Sequence, residues 1–294
     1  MSTPHSATPA RGTAQARRRV AHQQAVNAKR RAQRRAALTG IALVIALFAG
    51  LIIAKAATGH PSASMTATAT STSPAVTAGI VAQATGVPST VYAAIGSGGT
   101  AAQAEPVPGG QAATVDGKPQ VLYLGAEYCP YCAAQRWPLV LALSRFGTFT
   151  GLGLTESSST DVYPNTNTFT FLHATYTSPY LAFTSVELYD RADNPLQTPT
   201  AAQQQLLQTA GQGGIPFVAL GGTTMLRSSG YNPQVLTGLD WTQIAASLTD
   251  TSSPVAKAIV GTANRITGQL CDLTHDQPTA VCQTPEVRAL EGAS

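Results

Sequence analysis

From Val121 a short apolar run, VLYLG, passes through AEY into Cys129-Pro130-Tyr131-Cys132 and then into AAQRWPLVLALSRF. Few backbones accept that succession. The first piece reads as a buried strand, and Leu139, Leu143 and Phe146 recur at spacings of four and three, which predicts a helix with one buried stripe. Pro130 falls where a first-turn proline is tolerated, and Pro138 is expected to kink the helix further on. Strand, turn and helix in this order imply an α/β fold with two thiols at a helix N-terminus.

That placement has a chemical purpose. The first sulfur sits at the partly positive end of the helix, which favours the thiolate that attacks in disulfide exchange. The second, one turn on, can attack a mixed disulfide and release the bound partner. Two other readings of the spacing are half of a zinc site and an inert bridge. Zinc requires two further ligands at compatible spacing, and Cys271, His275 and Cys282 do not repeat the motif. The strand before and the helix after favour redox chemistry, which needs no metal and no cofactor.

Charge is divided unevenly along the chain. The net charge is +4, yet residues 1–35 carry nine of the eighteen basic side chains and no acidic one, while from Ala56 onward eight basic face fourteen acidic side chains, a net of −6. A basic arm suits nucleic acid or anionic lipid. Its position selects the membrane, because residues 36–54, AALTGIALVIALFAGLIIA, are nineteen uncharged residues, close to the ~20 that span a bilayer as helix. With basic residues crowded on one flank, the positive-inside rule puts 1–35 in the cytoplasm and the rest outside, single-pass. A cleaved signal peptide ending near Ala54-Lys55-Ala56 is the rival; the length of the run and of the arm favours an anchor. We expect no nucleic acid partner.

Residues 55–78 are rich in Ser, Thr and Ala and read as a linker, followed by an extracytoplasmic domain over 79–290. Within it, FTFLHATY and LAFTSVELYD suit strands, and PTAAQQQLLQTAG a helix capped by Thr200 and ended by Gly211. GGIPFVALGGTTMLR reads as a hairpin turning at Gly221-Gly222. LDWTQIAASL and SPVAKAIVGTANRITGQL read as helices capped by Asp240 and Ser253. Cys271 and Cys282 enclose a polar loop after the last of these and are expected to form a structural disulfide worth about 2 to 3 kcal/mol; a second redox pair relaying electrons from Cys129 and Cys132 is the alternative. His173, His275, Trp137 and Trp241 are expected to serve packing or surface, and Glu127 is placed to influence Cys129 only if it is not simply exposed.

The run Gly125 to Cys132 is similar to the active-site segment of thioredoxin-fold proteins, and its Pro130-Tyr131 dipeptide resembles that of glutaredoxins. Ile215-Pro216-Phe217 resembles the cis-proline loop of that fold, which implies that Pro216, with Ile215, faces substrate. A longer stretch, from about Ala75 to Cys282, resembles the DUF929 family of membrane proteins, on the strings LGAEYCPYCAAQRWPLVLALSRFGTF, SSSTDVYPNTNTFTF, YTSPYLAF, LQTPT, GGIPFVALGG and SSPVAKAIVG. These resemblances imply a thioredoxin-like domain, and the length between Cys132 and Pro216 implies an inserted subdomain at about 157–193.

One departure bears on direction. Thioredoxins carry a buried Asp where this chain has Tyr123, so the proton-transfer aid to a reducing cycle is missing, which favours oxidase or isomerase work. The expectation is therefore a membrane-anchored thiol-disulfide oxidoreductase with Cys129 as nucleophile and Cys132 as resolving thiol. Its partners would be thiols and disulfides of exported proteins, or a membrane redox partner. The other class is a non-catalytic binding protein of the same fold with a permanent bridge.

Overall fold

The computed structural model describes residues 73–99 and 104–290. The arm at 1–35, the anchor at 36–54 and most of the linker lie outside the described residues. Among the described residues no helix is long and apolar enough to cross a membrane.

Helix α1, Pro74–Thr85, begins inside the stretch 55–78 assigned to the linker. Two local devices start it: the Ser73 hydroxyl accepts from the Val76 N–H, and Pro74 occupies the first turn, where its missing donor costs nothing. After α2, Ser89–Ile95, come short strands β1, Glu105–Pro106, and β2, Thr114–Val115, then β3, Lys118–Gly125, and α3, Pro130–Ser144. Strands β4 (Thr148–Thr150), β5 (Gly153–Glu156), β6 (Asn167–Thr170) and β7 (Thr175–Thr177) follow, then β8, Ala182–Glu187, and α4, Ala201–Thr209. The chain closes with β9 (Phe217–Leu220), β10 (Thr224–Leu226), a 3-10 turn at Pro233–Leu236, and helices α5 (Trp241–Ser247), α6 (Pro254–Leu273), α7 (Thr279–Cys282) and α8 (Pro285–Arg288).

The main sheet runs β1-β10-β9-β3, with β2 at the start of β3 and β8 along its other side. Strand β8 is parallel to β3, and β9 is antiparallel to it. A strand with neighbours on both sides and helices on both faces reads as an unbroken apolar run, and Val121 to Gly125 are all buried. Alternation then divides them. Val121 and Tyr123 join Val218 and Leu220 beneath α3 and α6, while Leu122 and Leu124 pack with Phe217, Ala219 and Leu207 of α4 on the opposite face.

The β9–β10 hairpin turns at Gly221 and Gly222, both at positive φ, as a tight turn of this kind requires. Thr200 and Asp240 each complete a capping box, with Gln203 and Gln243, and Ser253 caps α6.

Three expectations need correction. The stretch 157–193, expected to form an inserted subdomain, is not separate from the main sheet: Ala182–Glu187 within it is β8, which pairs with β3, and the strands before it belong to two small ladders, β4 with β7 and β5 with β6. FTFLHATY is not one strand: it bends at Leu172-His173, where the Ala174 N–H reaches back to the Phe171 carbonyl at 3.1 Å, so His173 sits exposed in a turn. Finally, α3 is not a helix with one buried stripe. Every residue from Cys132 to Leu143 is buried, because the sheet, α6 and the β5–β6 ladder surround it. The helix passes through Pro138, and the Ala134 carbonyl left without its usual N–H accepts the Tyr231 hydroxyl at 2.7 Å.

Cys271 at the end of α6 and Cys282 in α7 form a disulfide, with Cα atoms 5.5 Å apart and both side chains fully buried.

Candidate functional site

Cys129 is the N-cap of α3. Its extended backbone lets the sulfur turn back over the first turn, where Sγ accepts the Cys132 N–H at 3.2 Å; Pro130 holds the first helical position. Both cysteines are unbridged thiols, Cys132 fully buried and Cys129 6% exposed, so only Cys129 has a path to solvent. Across from them, the Ile215–Pro216 peptide bond is cis, and the Ile215 carbonyl oxygen lies 4.0 Å from Cys129 Sγ. The structure thus brings Cys129, Pro130, Tyr131, Cys132, Ile215 and Pro216 to one place. Cys271 and Cys282 form their disulfide with each other.

The two thiols are electrically unlike. Hydrogen bonding from the Cys132 thiol, with the Cys132 N–H and the charge of Arg136, holds the Cys129 pKa below the ordinary thiol value against the opposing effect of burial. Burial first, then the neighbouring Cys129, pushes Cys132 well above it. Since the thiolate reacts and the thiol does not, an alkylating agent used in limiting amount at neutral pH should label Cys129 and spare Cys132. Peptide mapping of the labelled, reduced protein checks this, and Cys132 labelling first would reverse the assignment of roles.

Behind the thiols lies a buried ion pair. Arg136, one helical turn beyond Cys132, donates from Nε and Nη2 to the two carboxylate oxygens of Glu187, at 2.9 and 2.6 Å, and both side chains are fully buried. Nη2 also donates to the Ala126 carbonyl at 2.9 Å, which accepts the Cys129 N–H at 3.3 Å as well. The guanidinium stands 5.7 Å from the centre of the Tyr123 ring. Sequence reasoning missed this pair. The available signal was one charge, Arg136, inside the apolar stretch AAQRWPLVL at the i+4 position from Cys132.

Other candidates settle elsewhere. Glu127 is half-buried, and its Oε1 accepts the Thr170 hydroxyl at 2.6 Å. His275 is exposed. Trp137 is fully buried and donates to the Asn167 carbonyl at 2.9 Å, and Trp241 is half-buried and donates to the Thr168 carbonyl at 2.9 Å. Among the described residues no three His, Cys, Asp or Glu side chains cluster as metal ligands do.

Two clefts meet at Tyr128, beside the motif. One, of about 440 Å³, runs past Ile215, Tyr189, Pro199 and Leu207; the other, of about 670 Å³, is edged by Ser158, Asp161, Val162, Arg191 and Asp193. Tyr131, exposed at the motif, stands against Tyr163 from the β5–β6 connection at 6.0 Å between ring centres.

Fold and site together define a mixed α/β protein with a dithiol at a helix N-terminus facing a cis-proline loop. Residues 109–212, from before β3 to just beyond α4, match the model of the family described as a domain of unknown function (DUF929), the family the sequence resembles. No curated protein and no solved structure gives a significant match.

Proposed function

We propose that this chain is a thiol-disulfide oxidoreductase of the oxidase or isomerase type, built on a thioredoxin-like domain and held at the outer face of a membrane by residues 36–54. The observation that carries the reading is the Ile215 carbonyl, beside Pro216, at 4.0 Å from Cys129 Sγ: a backbone acceptor stands at the one sulfur with a route to solvent. The sheet supports it. A thioredoxin-like order places the strand before the dithiol between one parallel and one antiparallel neighbour, as β3 lies between β8 and β9, with β10 beyond.

In the oxidising direction a substrate thiolate attacks Cys129 Sγ of the Cys129–Cys132 bridge. A mixed disulfide forms, the bridge breaks, and its electron pair leaves on Cys132. A second substrate thiolate then attacks the substrate sulfur of the mixed disulfide, leaving the substrate as a disulfide and Cys129 as thiolate. The two electrons now on the dithiol pass to a membrane disulfide partner, which restores the bridge. Isomerisation starts instead from the reduced pair, with Cys129 attacking a substrate disulfide and a substrate thiolate later displacing it.

Cys132→Ser removes the thiol that frees Cys129 from a trapped partner. Cells carrying this variant should accumulate adducts of higher mass on non-reducing gels, which vanish with reductant and with the further change Cys129→Ser. A Cys132→Ser protein that gathers no such adducts would deprive the exchange reading of its support.

A further inference from the structure

The buried pair of Arg136 and Glu187 has no part in the steps above, yet Arg136 lies one helical turn beyond the cysteine on which those steps place a charge. We infer that Arg136, oriented by Glu187, is a positioning residue that stabilises the thiolate of Cys132 each time the Cys129–Cys132 bridge opens or closes. This inference rests on the exchange reading of the site.

Three geometric facts carry it. Arg136 follows Cys132 by four residues on α3, so the two side chains share one helical face. Its Nη2 and the Cys129 N–H meet at the same acceptor, the Ala126 carbonyl, which ties the guanidinium to the motif rather than to a remote part of the core. The guanidinium is also incompletely satisfied: Arg136 Nη1 is buried with no hydrogen-bond partner among the described residues, as is the hydroxyl of Tyr123, whose ring lies against the guanidinium. A pair kept only for stability is expected to be fully paired, because an apolar substitute usually serves stability as well or better.

The titratable and charged groups around the dithiol are few. Tyr123 faces it from β3, and Tyr128 and Tyr131 flank Cys129 on either side in the chain; Glu187 on β8 is held by Arg136, and the Glu127 carboxylate accepts from Thr170. Arg136 lowers the pKa of both thiols, opposing the burial that raises Cys132. Charge and atoms balance at the sulfur. When a substrate thiolate opens the bridge, the electron pair of the broken S–S bond goes to Cys132, one turn before Arg136 on the same helix. When Cys132 thiolate attacks Cys129 Sγ of a mixed disulfide, the bridge forms and the pair departs on the partner's sulfur, which takes a proton from water.

The test uses the reduced full-length protein mixed with excess oxidised glutathione, quenched with acid at intervals and weighed by mass spectrometry. Attack by Cys129 appears as a glutathione adduct, and resolution by Cys132 as its loss. In the double variant Arg136→Met, Glu187→Met, cooperative thermal unfolding should persist. Its resolution step should slow about tenfold at pH 7, with the pH midpoint of that step moved up by about one unit. Arg136→Lys, which keeps the cation, should stay closer to the parent.

A folded double variant that resolves the adduct at the parent's rate and midpoint overturns the inference while leaving the exchange reading intact. Should the double variant not fold, Glu187→Gln decides: loss of the counter-charge should move the midpoint down, and an unchanged or raised midpoint overturns the inference. A parent protein that forms no adduct brings down the exchange reading, and this inference with it.

Discussion

Replacing Cys129 with serine is expected to cut thiol-disulfide exchange by about three orders of magnitude or more, to the uncatalysed background, while leaving the protein folded. The loss follows from its position. Cys129 is the only one of the two thiols with a path to solvent, and Cys132, wholly buried, cannot take over the attack. Retention of the fold follows from its other role. As N-cap of α3, Cys129 accepts the Cys132 N–H through its side chain, and serine is among the best residues for that task. Oxidation of a dithiol peptide, followed beside the thermal unfolding curve, separates the two effects. A folded Cys129→Ser protein with its activity preserved would mean that exchange does not pass through this sulfur.

The second large effect is on stability. Arg136→Met alone should cost about 3–5 kcal/mol, because it leaves the Glu187 carboxylate buried without its counter-charge. Of that carboxylate's remaining contacts, the Phe171 N–H at 3.3 Å onto Oε1 is too weak to replace a bidentate guanidinium. Against a total stability of roughly 5–15 kcal/mol, such a loss should move the denaturant midpoint visibly. Changing both residues to methionine should recover most of it, since the cost lies in the unpaired charge and not in the volume. A single variant costing under about 1 kcal/mol would show that the pair is solvated in solution and would contradict the buried geometry.

Why this pair escaped the sequence, when the motif beside it did not, is a matter of range. The strand, N-cap and helix around Cys129 are local, and each was legible from periodicity and from the first-turn proline. The same holds for the Gly221-Gly222 turn and for the caps at Thr200, Asp240 and Ser253, where a few adjacent residues settle the backbone. Arg136 and Glu187 stand 51 residues apart and meet only because β8 lies parallel to β3. Parallel pairing requires a crossover, and nothing within LAFTSVELYD says which strand it will join. That is also why 157–193 reads as a separate subdomain in the sequence: without the β3–β8 pairing, Ala182–Glu187 looks no different from the ladders before it.

The bend at Leu172-His173 was hidden for another reason, since it contains neither Gly nor Pro and its flanks keep the aromatic, β-branched character of a strand. For α3, spacing revealed one apolar stripe. Burial on all sides depends on the sheet, α6 and the β5–β6 ladder closing around it, which a helix's own sequence shows only weakly through small residues such as Ala133, Ala134 and Ala142. The proximity of Ile215 to Cys129 is long-range as well, 86 residues apart, and was reached through the family resemblance and not through periodicity.

The most direct test of the redox reading is an equilibrium titration of the full-length protein in graded glutathione buffers, with each cysteine alkylated and identified by mass spectrometry. A reversible two-electron transition confined to Cys129 and Cys132, within the span of about −120 to −270 mV of known exchange proteins, is the predicted result, with Cys271–Cys282 staying bridged throughout. A Cys129–Cys132 bridge that resists reduction across the whole series would contradict it, and would make the domain a binding scaffold with a structural disulfide at the N-terminus of α3.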